Sequence, residues 1–291
     1  MKVVGFTIAR NVVKYDYPIL ESIQSILPIC DEFLILVGDS EDDTLAYLQS
    51  IQSPKIKIHH SVWKETLNDG GKVLAVETDK ALALIDKDTD WCFYLQADEL
   101  IHEDDLATIQ QGMLDNLQDK NCDGLLLNYI HFYHSYDYIS TTSRFYKYEI
   151  RIFRRNRGVY AYRDAQGFRR GNDEKLKVKL LDAYVYHYGW ARPPLNMKVK
   201  QKAIMKYFHD EEFIESTIGE KEEYDYAMLN AYLEPFEGTH PKLIQEKVNA
   251  MDWAVDLSLY RSKPRPKDTA KNFLRKYLNI NLDYANYTLL K

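Results

Sequence analysis

The residues best suited to chemistry gather where an apolar run stops. Trp91, Cys92, Phe93, Tyr94 and Leu95 have the composition of a strand buried on both faces of a parallel sheet, and Gln96, Asp98 and Glu99 follow at once. Carboxylates at the carboxyl end of such a strand stand where open α/β sheets take their ligands. Hard oxygen donors there suit Mg2+ or Mn2+, which bind through one or two carboxylates plus phosphate oxygens of a substrate. A polar strand-to-helix turn with Asp98 and Glu99 solvated fits the same residues, so the flanking sequence has to decide.

The elements that place this turn lie on both sides of it. Residues 3–8 read as a first strand, with Ala9, Arg10 and Asn11 as the loop at its end. Pro18 opens a helix, where its missing N–H costs nothing, and Ile19, Leu20, Ile23, Ile26 and Leu27 keep a helical stripe. Residues 32–37 are a second strand, followed by an acidic loop at 38–44 and a helix through Leu45, Leu48 and Ile51. A third short strand at 56–59, a turn at 68–71 and a helix at 72–85 lead to the fourth strand, 91–95. Strand and helix in alternation predict a parallel sheet with right-handed crossovers. Beyond a helix at 103–118, residues 125–133, 146–153, 159–162 and 183–188 read as strands joined by loops, a mixed or antiparallel extension. From Leu195 helical periodicity dominates, through Met197, Ile204, Met205, Tyr207 and Phe208, then residues 226–233 and 243–259. A boundary near Pro193-Pro194 divides an α/β region, 1–192, from a helical C-terminal region, 193–291.

Net charge is -6 from 38 basic and 44 acidic residues, which argues against bulk nucleic-acid binding. Cys30, Cys92 and Cys122 show no metal spacing and read as reduced thiols of a cytoplasmic protein. No uninterrupted apolar run approaches the ~20 residues that span a bilayer, and the opening stretch is too short for a signal peptide. Of the 23 tyrosines, 11 cluster between Tyr129 and Tyr188, which suits either a surface that stacks on sugar rings or plain sheet faces. The connector from Arg261 to Lys267 and the cluster Lys198, Lys200, Lys202 and Lys206 fit solvated surface. They also fit a weak peripheral contact with an anionic membrane, each charge contributing about 1 kcal/mol near it.

From Val3 to about Trp190 the chain resembles the family 2 glycosyltransferases of the nucleotide-sugar-binding GT-A type. Phe6-Thr-Ile-Ala-Arg-Asn11 resembles the first strand and loop of that family, and Val37-Gly-Asp-Ser-Glu-Asp-Asp-Thr44 its acidic loop after strand two. Leu95-Gln-Ala-Asp-Glu99 resembles the Asp-x-Asp metal motif, with Gln96 in place of the first Asp. Val185-Tyr-His-Tyr-Gly189 resembles the His-Tyr strand end of many bacterial members, downstream of Arg151-Ile-Phe-Arg154. The resemblance implies a GT-A sandwich with a mostly parallel central sheet and a metal-dependent, inverting glycosyltransferase. Its partners would be a nucleotide-sugar donor and a glycan or small-molecule acceptor, with a role in cell-surface glycan synthesis at the inner face of a membrane. It places Ala9, Asn11, Asp39, Gln96 and Arg151 about the nucleotide sugar. Lys72, after Gly70-Gly71, is a further candidate for a phosphate. Asp98 and His187 become the ligands of Mn2+ or Mg2+. Asp164, in Arg163-Asp-Ala-Gln166 where members carry a His-Glu pair, becomes the catalytic base. The tyrosine-rich stretch 129–148 and a lid-like loop at 163–170 are left for the acceptor side. Gln96 and the missing His-Glu pair keep open a catalytically silent, glycan-binding or scaffolding relative. A sugar-phosphate nucleotidyltransferase is disfavoured, because Ala9-Arg-Asn-Val-Val13 lacks the glycines of that class's first loop.

Overall fold

The computed structural model describes residues 1–64, 70–219, 221–229, 231–278 and 282–290. Asn68 and Asp69 of the expected turn lie outside the described residues. The first half alternates as expected: β1 (Val3–Ala9), α1 (Ile19–Ile26), β2 (Glu32–Gly38), α2 (Thr44–Gln49), β3 (Ile56–Ser61), α3 (Lys72–Ala83) and β4 (Trp91–Tyr94). β1 pairs in parallel with β2 on one side and β4 on the other, and β2 carries β3 outward. Alternate residues of each strand point to opposite faces. Phe33, Ile35 and Val37 therefore share a core with Ile19, Ile23 and Ile26, while Leu34 and Leu36 share one with Ala75, Ala81 and Leu82. Burial on both faces is why the strands read as continuous apolar runs.

Next come β5 (Glu99–Ile101), α4 (Leu106–Asp115), β6 (Gly124–Tyr133), β7 (Tyr138–Ser140), β8 (Tyr148–Arg154), β9 (Val159–Tyr162), β10 (Gly167–Arg170), β11 (Glu174–Trp190) and α5 (Pro194–Met205). Here the sheet becomes mixed: β8 is antiparallel to β4, β6 is antiparallel to β8, and β11 is parallel to β6. The whole is a mixed α/β sheet, its parallel half as the strand-helix alternation predicted and its mixed extension as the loop-joined strands predicted. The loop expected at 163–170 is largely a hairpin, because Gly167–Arg170 pairs with Val159–Tyr162 and leaves only the turn between them. β11 starts at Glu174 instead of 183, its charged Lys175, Lys177 and Lys179 alternating with buried Leu176 and Val178.

The remaining elements are α6 (Glu211–Ile214), β12 (Leu233–Pro235), α7 (Gln245–Asn249), α8 (Pro266–Leu278) and β13 (Tyr287–Leu289). The helices expected at 226–233 and 243–259 shrink to single turns and the short α7. Tyr226 is held instead by packing on Tyr133, and its hydroxyl donates to Trp190 O and Arg192 O. The C-terminal region also returns strands to the sheet, β12 pairing with β7 and β13 with β11. Among the described residues no helix is long and apolar enough to cross a membrane. Because β2 and β3 lie to one side of β1 and β4 to the other, the carboxyl ends of β1 and β4 diverge. Open α/β sheets bind ligands at that reversal.

Candidate functional site

Thr7 Oγ1 donates to Leu95 O at 2.6 Å and holds β1 against β4 up to the reversal. Beyond it Arg10 and Gln96 part around a cavity of about 340 Å³. Tyr94, Gln96 and Asp98 border it at the strand ends. His131, His187 and Trp190 close one side, and Trp63, Tyr207 and Phe208 contribute to the rest.

Glu99, next to Asp98, turns away from this cavity. Its carboxylate accepts Arg151 Nε at 2.8 Å and Nη2 at 2.7 Å, the Tyr129 hydroxyl at 2.9 Å and the Gln96 amide at 3.0 Å. Both side chains of this ion pair are fully buried. The pair fastens the 96–99 turn to β6 and β8, which fixes where Asp98 stands. Arg151 was expected to meet the nucleotide sugar. Its guanidinium is instead committed to Glu99 and to the carbonyls of Ile150 and Gln166, so its place is behind the site.

Asp98 and His187 do come together. The Tyr188 amide donates to Asp98 O at 2.8 Å, setting the end of β11 beside the turn. Any Cβ at Gly189 would stand 2.7 Å from both Asp98 Oδ2 and His187 Nε2. Only glycine permits that approach. His131 Nε2–H donates to Tyr146 O at 2.8 Å, and the Nδ1 atoms of His131 and His187 lie 3.1 Å apart. Burial drives both imidazoles below the ordinary histidine value, so both are neutral. Assigned from this network, His131 Nδ1 is the acceptor, His187 Nδ1–H the donor, and His187 Nε2 carries a lone pair. That lone pair faces Asp98 Oδ1 across 3.8 Å. Two acceptors facing each other with no proton between them fit the protein's share of a Mn2+ or Mg2+ site completed by phosphate oxygens. No group of three such protein ligands exists among the described residues.

Lys200 belongs to this site, although its cluster of lysines reads in the sequence as solvated surface, with a weak membrane contact as the alternative. It is 3% exposed, and its Nζ donates to Asp98 Oδ2 at 2.9 Å and to Gly189 O at 2.8 Å, 4.6 Å from the centre of the Tyr17 ring. Burial works against a charged Asp98, but the Lys200 ammonium and the groups around it together outweigh it and hold the carboxyl well below the usual range. Burial pulls Lys200 itself down to about 8, against the opposing effect of Asp98. The signal was present in α5: Lys200 sits between Met197, buried, and Ile204, on the cavity, at the spacing of one helical face.

Asp164 also borders the cavity, on the turn between β9 and β10. Its neighbours Arg163 and Ala165 adopt left-handed φ values of 58° and 61°, and its Oδ1 accepts the Gln166 amide at 3.3 Å. Gly71, at φ 74°, lets the start of α3 close on this turn, since a Cβ there would lie 2.7 Å from Asp164 Cβ. Gln166 Nε2 donates to Glu149 Oε1 at 2.9 Å, and burial pushes the Glu149 carboxyl up to about 7. Of the expected site residues, Gln96, Asp98, Asp164 and His187 thus line one cavity. The others stand around it. Ala9 is in the core, and Asn11 Oδ1 accepts the Glu41 amide at 2.7 Å. Asp39 Oδ1 accepts the Trp63 amide at 3.2 Å, with Arg10 Nη2 3.6 Å from its Oδ2. Lys72 is exposed on the first turn of α3.

No family model matches the chain, and no curated protein matches it. Similar solved structures include S. aureus TarS, at 16% identity and a TM-score of 0.39, covering 70% of this chain and 39% of that one. The TarS 1-349 structure in complex with UDP aligns at 15% identity and a TM-score of 0.38, covering 70% of this chain and 64% of that one. Glucosyl-3-phosphoglycerate synthase from Mycobacterium tuberculosis, in complex with Mn2+, UDP and phosphoglyceric acid, aligns at 19% identity and a TM-score of 0.29, covering 45% and 43%. 4-Diphosphocytidyl-2C-methyl-D-erythritol synthase from Anaerococcus prevotii aligns at 11% identity and 0.31, covering 53% and 71%. The chain spans less than two thirds of the length of the TarS structures. Likeness at this level carries no argument about chemistry, which rests on the chain's own residues.

Proposed function

We propose that the cavity binds a nucleotide sugar and transfers its sugar, with inversion, to a hydroxyl of a glycan or small acceptor. The observation that carries this reading is the reversal-point cavity itself, bordered by Asp98 with His187 and, on a separate turn, by Asp164. The electrostatics suit a reaction that separates a proton from a polyanionic leaving group. As the acceptor oxygen bonds to the anomeric carbon, the bond from that carbon to the diphosphate breaks. The hydroxyl proton passes to Asp164, and the electron pair leaves with the diphosphate. A Mn2+ or Mg2+ ion held by Asp98 and His187 would neutralise charge on that leaving group. Gln96, whose amide is fixed by Glu99, presents its side chain to the donor, while Asp39 and the Trp63 it positions bound the side for the nucleotide base. Residues 1–192 form the donor half, and the C-terminal region 193–291 supplies Lys200, Tyr207 and Phe208. A cytoplasmic location goes with this reading, with the 261–267 connector available to an anionic inner membrane face.

The test is calorimetric titration with UDP, GDP, CDP and dTDP in Mn2+, followed by assay of donor hydrolysis for the diphosphate that binds. One of them binds in the micromolar range, and Asp98→Asn abolishes the enhancement by Mn2+, with folding checked by thermal melting because that variant leaves Lys200 buried without its counter-charge. A protein that binds none of the four, with or without the ion, refutes the proposal. Binding without hydrolysis or transfer would turn the assignment to a silent, ligand-binding relative.

A further inference from the structure

We propose that Lys200 is a built-in second cation for the diphosphate of the donor, acting beside Asp98 and not merely neutralising it. This inference rests on the reading of the cavity as a nucleotide-sugar site. An ammonium has three N–H donors. Two go to Asp98 Oδ2 and Gly189 O, and among the described residues no acceptor is recorded for the third, while Lys200 lines the cavity. The position is costly to charge. Taking an ammonium out of water carries a penalty of several kcal/mol, and a methionine at this place would pack as Met197 does one turn earlier.

The local charges favour a polyanion. Asp98 and Lys200 cancel, Arg10 and Asp164 bring one charge of each sign to the same cavity, and the Arg192 guanidinium lies behind, 5.4 Å from the centre of the same Tyr17 ring that carries Lys200. Arg192 is tied to the carbonyls of Tyr15 and Asp16 and stays with that loop. Of the two cations, Lys200 is the one that lines the cavity. It enters on α5, outside the elements that carry Asp98 and His187, so the C-terminal region contributes directly to the donor site. A phosphate oxygen that takes its third N–H leaves the Asp98 bond intact. The same lysine repels a divalent ion approaching Asp98 in the absence of ligand. Metal alone and diphosphate alone should therefore respond to its removal in opposite directions.

The experiment titrates wild type and Lys200→Met with Mn2+ alone, and with UDP and inorganic pyrophosphate in excess EDTA. Removing Lys200 should tighten Mn2+ several-fold and weaken UDP and pyrophosphate about tenfold or more, as expected for loss of a charge-assisted hydrogen bond. Lys200→Met leaves the Asp98 carboxylate buried and unpaired, so folding is checked by thermal melting. Asp98→Asn and Asp98→Asn/Lys200→Met provide a second pair without a buried carboxylate, and the single variant, which leaves Lys200 without its counter-charge, is checked by melting in the same way. In EDTA the single Asp98 variant keeps its UDP binding and the double variant loses it. Equal binding of UDP and pyrophosphate in EDTA with and without Lys200 overturns the proposal. So does Mn2+ binding that weakens when Lys200 is removed, or a wild type that binds UDP only with Mn2+. A wild type that binds neither anion under any condition instead overturns the nucleotide-sugar reading itself.

Discussion

Replacing Arg151 with methionine separates a framework role from a ligand role. The guanidinium makes two charge-assisted bonds to Glu99, at 2.8 and 2.7 Å, and two more to the carbonyls of Ile150 and Gln166, at 3.1 and 2.8 Å. It also lies 5.5 Å from the Tyr94 ring centre and 5.3 Å from that of Tyr129. Methionine fills part of the space but leaves Glu99 as a buried carboxylate with only the Tyr129 hydroxyl and the Gln96 amide. Breaking a buried pair from one side costs about 3–5 kcal/mol. Urea unfolding should show that loss as a lower midpoint at unchanged slope. The double variant Glu99→Leu/Arg151→Met removes both charges and takes a partner from the Tyr129 hydroxyl, the Gln96 amide and the Ile150 and Gln166 carbonyls, at roughly 1–3 kcal/mol for a buried group left unsatisfied. It should therefore cost clearly less than the sum of the single variants, with a coupling of about 3 kcal/mol. An Arg151→Met protein that loses under about 1 kcal/mol of stability, yet binds nucleoside diphosphate tenfold more weakly, would refute the assignment and return Arg151 to the ligand.

Glu149 should make stability depend on pH. Its carboxyl is raised from 4.5 to about 7, chiefly by burial, so between those values the folded chain holds a proton that the unfolded chain has lost. Its contribution is complete below the unfolded value and is lost as pH rises through about 7, by about 3 kcal/mol in all. Glu149→Gln should flatten that slope between pH 5 and 8, and an unchanged slope in urea unfolding would contradict the reasoning. Asp164→Asn should lower turnover at least about a hundredfold with donor affinity unchanged, because proton abstraction acts only in the transition state. A loss confined to KM would move the base elsewhere, with Glu149, one hydrogen bond from Gln166, as the next carboxylate to test.

What the sequence disclosed follows from how local each determinant is. The parallel half was legible because double burial writes itself into continuous runs such as Phe33 to Val37, bounded by polar loops. β5 and β7, of three residues each, are too short to show a period, and β10 looked like loop because Gly167 and the paired arginines carry no apolar alternation. Arg151 was misplaced for a different reason. It lies among apolar neighbours on β8, where either direction is open to it, and its partner Glu99 is 52 residues away. Nothing local chooses between a diphosphate and a buried carboxylate.

Lys200 shows the same problem from the opposite direction. In composition it is one of four lysines in a short stretch, which reads as solvated surface. Placed on the helix, it interrupts the face formed by Met197 and Ile204, the one position where a charge cannot be solvated without a partner. The partner is 102 residues earlier in the chain, at the end of β4, and becomes visible only when α5 is laid against the reversal of the sheet. Asp98 was picked out for its place after an apolar strand, and the same rule, applied to a charge inside an apolar helical stripe, would have picked out Lys200. Each is a polar group at a position that burial should have made apolar. The cavity lies where the two exceptions meet.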